Sequence, residues 1–347
     1  MVEQLNGETR KIQFTGKSTY IVSLPKKWVT SLGLKAGSQI IISQQDGSLI
    51  LTPKEMARPS PVTNEATLSI SGNDDPYMIA REIISLYLVG YNLIRVRTKE
   101  ESINVIQRNV IKELTRKKLV GTEIISETSN EIKLQILVSY PELSVENALR
   151  RMCLIATSMH DNAIQALYNL DKKLAQEVIQ LDDEVDRFSL YVIRQLKSAV
   201  RNEKILRDIG LLSPRDSLGY RVIVKSVERI ADHAGKIAEN VLLLEEKLSE
   251  KVFQKLSEMS DFAKNVFKEA IESLFKKDYL QADQVISKAK TIVTLENEAI
   301  KEIRSKIKQA DVSNIRMIME SIRRIAEYAS DIAEIVLNLN INQMIVL

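Results

Sequence analysis

The sequence predicts a multidomain chain with an N-terminal β domain, a small middle α/β domain and a C-terminal all-α region of duplicated three-helix bundles. Residues 10–52 contain four short runs in which apolar and polar residues alternate, as in half-buried strands. From residue 144 onward, apolar residues recur three and four positions apart, as in amphipathic helices. We therefore expect domains over residues 1–56, 65–140, 143–247 and 249–347.

The first domain is predicted to combine strands with one short helix. Asp46-Gly47 supplies a tight turn between the runs QIIIS and SLILT, and Pro25 suits the first turn of a helix. Three prolines at positions 53, 59 and 61 then indicate an extended linker. A domain this small cannot bury so many apolar side chains alone, so we expect it to dimerise.

The middle domain alternates strand and helix signals. ATLSI reads as a strand, a helical pattern runs from about Pro76 to Val89, and NLIRVRT reads as a second strand. A second helix is predicted from about Glu101 to Lys118, followed by two strands that turn at Ser129-Asn130. This domain carries no motif that assigns it a role.

The last two domains are related by an internal repeat. VERIADHAGKIAENV, which starts at Val227, matches IRRIAEYASDIAEIV, which starts at Ile322, and the apolar positions of both step alternately by three and four. Such a stripe packs into the seam of a helical bundle. With breaks near Asp171, Pro214, Ser249, Asp278 and Asp311, the region is predicted to hold six helices in two sets of three.

Composition excludes several classes of protein. The single cysteine, Cys153, excludes a disulfide framework and cysteine-based zinc sites, and it suits a reducing cytoplasm, where we expect the protein. No run approaches the roughly 18 apolar residues that cross a bilayer, so we expect no membrane insertion. Residues 1–58 hold eight Lys or Arg against four Asp or Glu, and this basic excess favours nucleic-acid binding at that end.

Two pairs of acidic residues flank the apolar seam of the first bundle. Asp182 and Asp186 are four residues apart on one predicted helix, and Glu228 and Asp232 are four apart on the next. If the helices pack along the seam, four carboxylates converge and either raise each other's pKa or bind a cation. Oxygen ligands favour iron, manganese, magnesium or calcium, with zinc a further choice. The alternative is that these acids are solvated or salt-bridged.

The second repeat lacks this acidic set. Its positions equivalent to Asp182 and Asp186 are Ala289 and Val293, and Arg323 replaces Glu228. The loss of these acids together favours a site that works as a unit in the first bundle only.

The two repeats resemble the PhoU family of phosphate-uptake regulators. The resemblance is carried by D-D-E-V-D, residues 182–186, and E-R-I-A-D-H-A, residues 228–234, and it extends over residues 143–347. It implies metal binding by Asp182, Asp186, Glu228 and Asp232, with His233 and Glu239 as candidate additional ligands. It also implies a role in phosphate homeostasis through a phosphate transporter and its signalling kinase.

The N-terminal segment resembles the SpoVT/AbrB family. G-K, L-P-K-K-W and L-G-L-K-A-G carry this resemblance over residues 8–53. It implies a dimer of swapped β-hairpins that binds double-stranded DNA. The basic residues available for phosphate contacts are Arg10, Lys11, Lys17, Lys26 and Lys27. The alternative is that these side chains only make the domain soluble.

Together these patterns predict a DNA-binding transcriptional regulator of phosphate uptake that is not an enzyme. Two alternatives stay open. The first is an adaptor that docks on a phosphate transporter or its kinase, with the N-terminal domain serving only to dimerise the chain. The second is a two-metal enzyme, although no nucleophile–base pair or phosphate loop is visible.

Overall fold

The protein consists of a strand-rich N-terminal region, a small α/β region and C-terminal helical bundles, which confirms the predicted fold class. The computed structural model describes residues 8–16, 18–45, 47–57, 65–137, 143–200, 202–303 and 311–345. The chain forms two compact units, Met1–Val62 and Thr63–Leu347. The second unit therefore holds both the α/β region and the bundles.

The described part of the first unit contains two separate antiparallel hairpins and two short helices. Its elements are β1 (Gln13–Thr15), β2 (Thr19–Ile21), α1 (Lys26–Ser31), β3 (Ile40–Gln45), β4 (Ser48–Pro53) and α2 (Lys54–Ala57). The predicted turn residue Asp46 lies outside the described residues. None of the described large apolar side chains of this unit is buried. Those that are exposed are Ile12, Phe14, Tyr20, Ile21, Val22, Ile41, Ile42, Leu49 and Ile50.

The α/β region has one mixed sheet in the order β5-β6-β8-β7, in which only β5 and β6 are parallel. Its elements are β5 (Glu65–Ile70), α3 (Pro76–Val89), β6 (Leu93–Thr98), α4 (Val105–Lys117), β7 (Thr122–Glu127) and β8 (Glu131–Ile136). Asp75 caps α3 by accepting hydrogen bonds from the backbone N–H groups of Tyr77 and Met78. The second helix starts later than predicted, at Val105, because the Asn104 side chain caps it there.

The helical region forms two bundles that share one hydrophobic core. The first contains α5 (Val145–Asn169), α6 (Lys172–Ala199), α7 (Glu203–Asp208) and α8 (Asp216–Leu243). The second contains α9 (Glu250–Lys276), α10 (Tyr279–Ala289), α11 (Ile292–Ile303) and α12 (Val312–Asn340). α8 packs against α12, and α3 of the α/β region packs against α6.

Two details differ from the prediction of six continuous helices. α7 is an additional short helix, which forms because Asn202 caps it and Leu206 is buried in the bundle core. The middle helix of the second bundle is divided into α10 and α11, where the backbone N–H of Thr291 bonds back to the carbonyl of Lys288.

The junction between the first two helices is the same in both bundles. Leu170 ends α5 and Lys277 ends α9, and both have left-handed backbones with φ of 54° and 55°. The next residues, Asp171 and Asp278, cap the following helices by accepting backbone hydrogen bonds. The repeat therefore preserves the turn chemistry as well as the apolar stripe.

Among the described residues, no helix is both long and apolar enough to cross a lipid bilayer.

Candidate metal centre and N-terminal basic surface

Three aspartates from two helices meet on one side of the first bundle. α6 carries Asp182 and Asp186 one turn apart, and α8 carries Asp232. One carboxylate oxygen of each lies within 4.8 Å of those of the other two, and all three residues are half-buried. Their neighbours Val185 and Ala231 are fully buried in the seam, so the packing of the core brings the acids together.

The environment of the cluster disfavours its negative charge. Burial, together with the charges of Asp232 and Asp186, raises the pKa of Asp182 to about 7. The pKa of Asp232 is also raised, first by burial and then by the charge of Glu228. These carboxylates therefore repel one another at neutral pH, and a cation between them would relieve that repulsion.

The donor set fits a hard cation. Among the described residues, Oδ1 of Asp182 is buried without a hydrogen-bond partner, so it is a carboxylate oxygen free to act as a ligand. Three carboxylates on rigid helices supply oxygen donors of the type that iron, manganese and magnesium prefer, and zinc also accepts them.

The other predicted ligands lie apart from this cluster. Glu228 is close enough to raise the pKa of Asp232, but its Oε1 accepts a hydrogen bond from Lys225 Nζ at 2.6 Å. His233 instead faces the second bundle, where its ring centroid lies 5.7 Å from that of Tyr328. Burial and the charge of Lys236 lower the pKa of His233 to about 4, so its imidazole is neutral. Glu239 is exposed on α8 and is not part of the cluster.

A lysine from the α/β region also reaches the cluster. Lys118 follows the last residue of α4, and its Nζ lies 2.8 Å from Asp186 Oδ2 and 2.6 Å from Asp183 Oδ1. Burial by itself lowers the pKa of Lys118, but hydrogen bonds to Asp183 and Asp186 outweigh it and leave that pKa raised. Sequence analysis missed this contact, because Lys118 and Asp186 are 68 residues apart and share no pattern.

The second bundle has a guanidinium at the corresponding place. Arg323, which occupies the position of Glu228, forms an ion pair with Glu327, the equivalent of Asp232. Its Nε also lies 3.3 Å from Oε2 of Glu296 on α11. The permanent positive charge of Arg323 thus offsets part of the charge of these two glutamates, and Arg324 also pairs with Glu327, at 3.0 Å. Within the described part of the chain, these side chains are not part of a group of potential metal ligands.

Most of the basic residues predicted to contact DNA are exposed in the N-terminal unit. Arg10 and Lys11 precede β1, and Arg10 forms an ion pair with Glu8. Lys26 and Lys27 form the first turn of α1, where Val29 N–H donates to the Pro25 carbonyl. Lys17 lies outside the described residues.

The family model for the PhoU domain matches residues 149–241 and 256–336, which together make up half of the chain. The chain belongs to the PhoU family. The two matched segments cover the two bundles, so the PhoU repeat coincides with the repeat of α5–α8 and α9–α12.

Curated PhoU relatives are similar over the same region. A phosphate-specific transport system accessory protein PhoU homologue of Aquifex aeolicus is 29% identical over 174 residues, which is 49% of this chain and 74% of the relative. The homologue of Borreliella burgdorferi is 27% identical over 202 residues, which is 53% of this chain and 86% of the relative. Both relatives are accessory proteins of phosphate transport by name.

Solved PhoU structures share the fold. The phosphate transport system regulatory protein PhoU from Streptococcus pneumoniae superposes with a TM-score of 0.50 and 19% identity, covering 58% of this chain and 96% of that protein. PhoU from Pseudomonas aeruginosa gives a TM-score of 0.50 and 24% identity, covering 57% and 96%. In the N-terminal unit, residues 13–59 match a second family, antidote-toxin recognition MazE, bacterial antitoxin. The chain thus joins a PhoU region to a MazE/AbrB-like domain.

Proposed function

We propose that this protein is a cytoplasmic, dimeric, DNA-binding regulator of phosphate uptake that is not an enzyme and whose first PhoU bundle binds a metal ion. The observation that carries the proposal is the presence, in one chain, of a PhoU region and a MazE/AbrB-like unit with exposed basic residues on α1. The names of the relatives connect the PhoU region to phosphate transport. Transporter components or a signalling kinase are its proposed protein partners.

The charge of the N-terminal unit supports binding to double-stranded DNA. Lys26 and Lys27 are adjacent, exposed and on the first turn of a helix, so they can reach phosphate oxygens together with the exposed Arg10 and Lys11. Lys17, which lies outside the described residues, is a further proposed contact. Contacts of this kind position the protein on the duplex and make its affinity dependent on salt.

The exposed apolar strands of the same unit support a dimer. Phe14 and Ile42 are 59% and 63% exposed, and among the described residues of this unit no large apolar side chain is buried. Pairing of two N-terminal units would cover these side chains and place two basic surfaces in one particle.

The aspartates of the first bundle would hold the metal ion. Asp182, Asp186 and Asp232 provide the ligands, and iron, manganese, magnesium or zinc fits this donor set. The cation would supply positive charge at the edge of the bundle and allow phosphate oxygens to approach a surface that otherwise repels anions. The rigid backbones of α6 and α8 would hold the three carboxylates at fixed positions relative to one another.

DNA binding is tested with the full-length protein and a labelled duplex of mixed sequence, by fluorescence anisotropy over a series of salt concentrations. The variant Lys26→Ala/Lys27→Ala is compared with Lys172→Ala/Lys173→Ala, which removes the same charge from an exposed lysine pair on α6. We expect the first variant to bind more weakly, with a slope of log affinity against log salt that is shallower by about 1.8 per chain. The second variant should match the wild type.

Equal binding by all three proteins would show that Lys26 and Lys27 do not contact DNA. No binding by any of them would contradict the proposal of DNA binding itself. The protein would then be a PhoU-type adaptor whose N-terminal unit serves only to join two chains.

A further inference from the structure

We propose that Lys118 is a built-in counter-ion that competes with the metal ion for Asp186, so that Lys118 sets the affinity of the site and couples its occupancy to the α/β region. The inference rests on the proposed metal centre. Its first observation is geometric, because the Lys118 ammonium lies 2.8 Å from an oxygen of Asp186, one of the three clustered carboxylates.

An ammonium and a metal ion bound to the same carboxylate repel each other electrostatically. The Lys118 side chain is 27% exposed, and its ammonium forms ion pairs with Asp183 and Asp186. A divalent cation bound to the same aspartate would stand a few ångströms from the ammonium, and like charges at that distance repel strongly away from bulk water. Lys118 therefore opposes cation binding, and cation binding releases Lys118.

Lys118 belongs to the α/β region and is held there by its backbone. Its N–H donates to the Leu114 carbonyl at the end of α4, at 2.9 Å, and Leu119 is buried next to it. The hydroxyl of Tyr87 donates to the Val120 carbonyl at 3.2 Å. The ion pairs of Lys118 consequently connect the end of α4 to α6, and their loss removes this connection.

A second contact between the α/β region and α6 lies away from the aspartates. The buried Arg194 guanidinium donates to the carbonyl of Tyr87 and to the side-chain oxygen of Asn92, the latter at 2.7 Å. No member of the metal cluster takes part in these bonds. Occupancy of the site therefore loosens the contact at Lys118 while Arg194 keeps the α/β region attached.

There is space for the released side chain. Lys118, Asp186 and Glu113 line a cleft of about 580 Å³ between the α/β region and helices α6 and α8. The ammonium can turn into this cleft, towards Glu113 and water, without displacing the core.

The test measures Mn²⁺ affinity of the full-length protein by titration calorimetry. Lys118→Met should bind Mn²⁺ about tenfold more tightly than the wild type, since one repelling charge is removed. Lys117→Met is the matched control, because Lys117 is the adjacent lysine, pairs with Glu113 and has a side chain that is 60% exposed. It should stay within about twofold of the wild type, and so should Lys118→Arg, which retains the charge.

Hydrogen exchange gives an independent readout. Mn²⁺ should speed amide exchange in residues 114–121 of the wild type and leave it unchanged in Lys118→Met, where that contact is already lost. Exchange around Gly90 and Asn92, at the Arg194 contact, should not respond in either protein.

The outcomes separate this inference from the proposed metal site. If the wild type binds Mn²⁺, Asp182→Asn abolishes binding and Lys118→Met binds no more tightly, the inference is wrong and the metal site stands. If neither the wild type nor Lys118→Met binds Mn²⁺, both are wrong. Tighter binding by Lys117→Met to the same extent as Lys118→Met would also overturn the inference, because the effect would then be one of general charge.

Discussion

His233 and Tyr328 occupy equivalent positions in the two repeats and lie against each other, with ring centroids 5.7 Å apart. The arginines Arg229 and Arg324 also occupy equivalent positions, and each lies near the ring of the other repeat. Arg229 lies over the Tyr328 ring at 5.4 Å, and the charge of Arg324 helps to lower the pKa of His233. α8 and α12 therefore contact each other through corresponding residues. This arrangement directs His233 to the seam between the bundles, whereas Asp232 faces Asp182 and Asp186.

This division of roles predicts opposite results for two adjacent residues. Asp232→Asn should weaken Mn²⁺ binding by at least about tenfold, because it removes a charged ligand. His233→Gln should leave the affinity unchanged. Titration calorimetry of both variants checks this, with Glu327→Gln, at the position of Asp232 in the second bundle, as a control that should bind like the wild type. A loss of affinity in His233→Gln would return that histidine to the ligand set.

The raised pKa of Asp182 predicts a pH dependence of the metal-free protein. Between its ordinary pKa of 3.8 and about 7, Asp182 binds a proton in the folded state and releases it on unfolding. The contribution of Asp182 to the free energy of unfolding therefore decreases as the pH rises through that window. Chemical denaturation is measured in buffers from about pH 5 to about pH 8. The stability of Asp182→Asn relative to the wild type should increase as the pH rises.

The histidines require that this effect be measured as a difference between variants. Burial lowers the pKa of both His160 and His233 to about 4, so their contribution to stability is lost as the pH falls below 6.5, opposite in sign to that of Asp182. They are present in both proteins and cancel. Asp283→Asn, which changes an exposed aspartate of α10, should follow the wild type at every pH. A constant difference between Asp182→Asn and the wild type would contradict the assignment.

Arg323 is expected to stabilise the second bundle in place of a cation. Arg323→Met removes the counter-ion of Glu296 and leaves Glu327 with Arg324 as its partner, and we expect it to lower the free energy of unfolding by about 1–2 kcal/mol at neutral pH. The loss should be smaller at acidic pH, because burial raises the pKa of Glu296 and this carboxylate is protonated there. Arg316→Met, an exposed arginine on the same helix, serves as the control in denaturant melts. Equal effects of the two substitutions would contradict this role.

The left-handed residue at the end of α9 offers a stabilising substitution. Lys277 has φ of 55°, which costs a residue with a side chain about 1 kcal/mol relative to glycine. Lys277→Gly should therefore raise the free energy of unfolding, by up to about 1 kcal/mol. Lys268→Gly, inside α9, should lower it by about the same amount. Thermal melts of both variants test the junction, and destabilisation by Lys277→Gly would show that its side chain matters more than its backbone.

The exposed strands predict that dimerisation depends on the N-terminal unit. Ile42→Lys/Leu49→Lys places charges on two β-strand positions that are 63% and 65% exposed. Sedimentation velocity should show a dimer for the wild type and a monomer for this variant, because charges are costly in a desolvated interface. Leu212→Lys, on a leucine of the bundle region that is 89% exposed, should leave the dimer intact. A monomeric wild type would exclude this mode of assembly.

The amino-acid sequence determined the order and type of the elements because periodicity and capping are local properties. The apolar stripe of α8 and its repeat in α12 could be read directly, and so could the breaks near Asp171 and Asp278, where the structure places helix caps. The same periodicity placed Asp182, Asp186 and Asp232 beside the seam, and helix packing then brought the three together.

Tertiary structure decided what each flanking residue meets. A period of 3.6 fixes which face of a helix is buried but not which neighbour covers its edge. Lys118 reaches Asp186 because the α/β region packs on α6, and Arg323 reaches Glu296 because α11 packs beside α12 in the second bundle. These contacts join residues distant in the chain, so no local pattern predicts them. They determine which acids are paired with a lysine or an arginine.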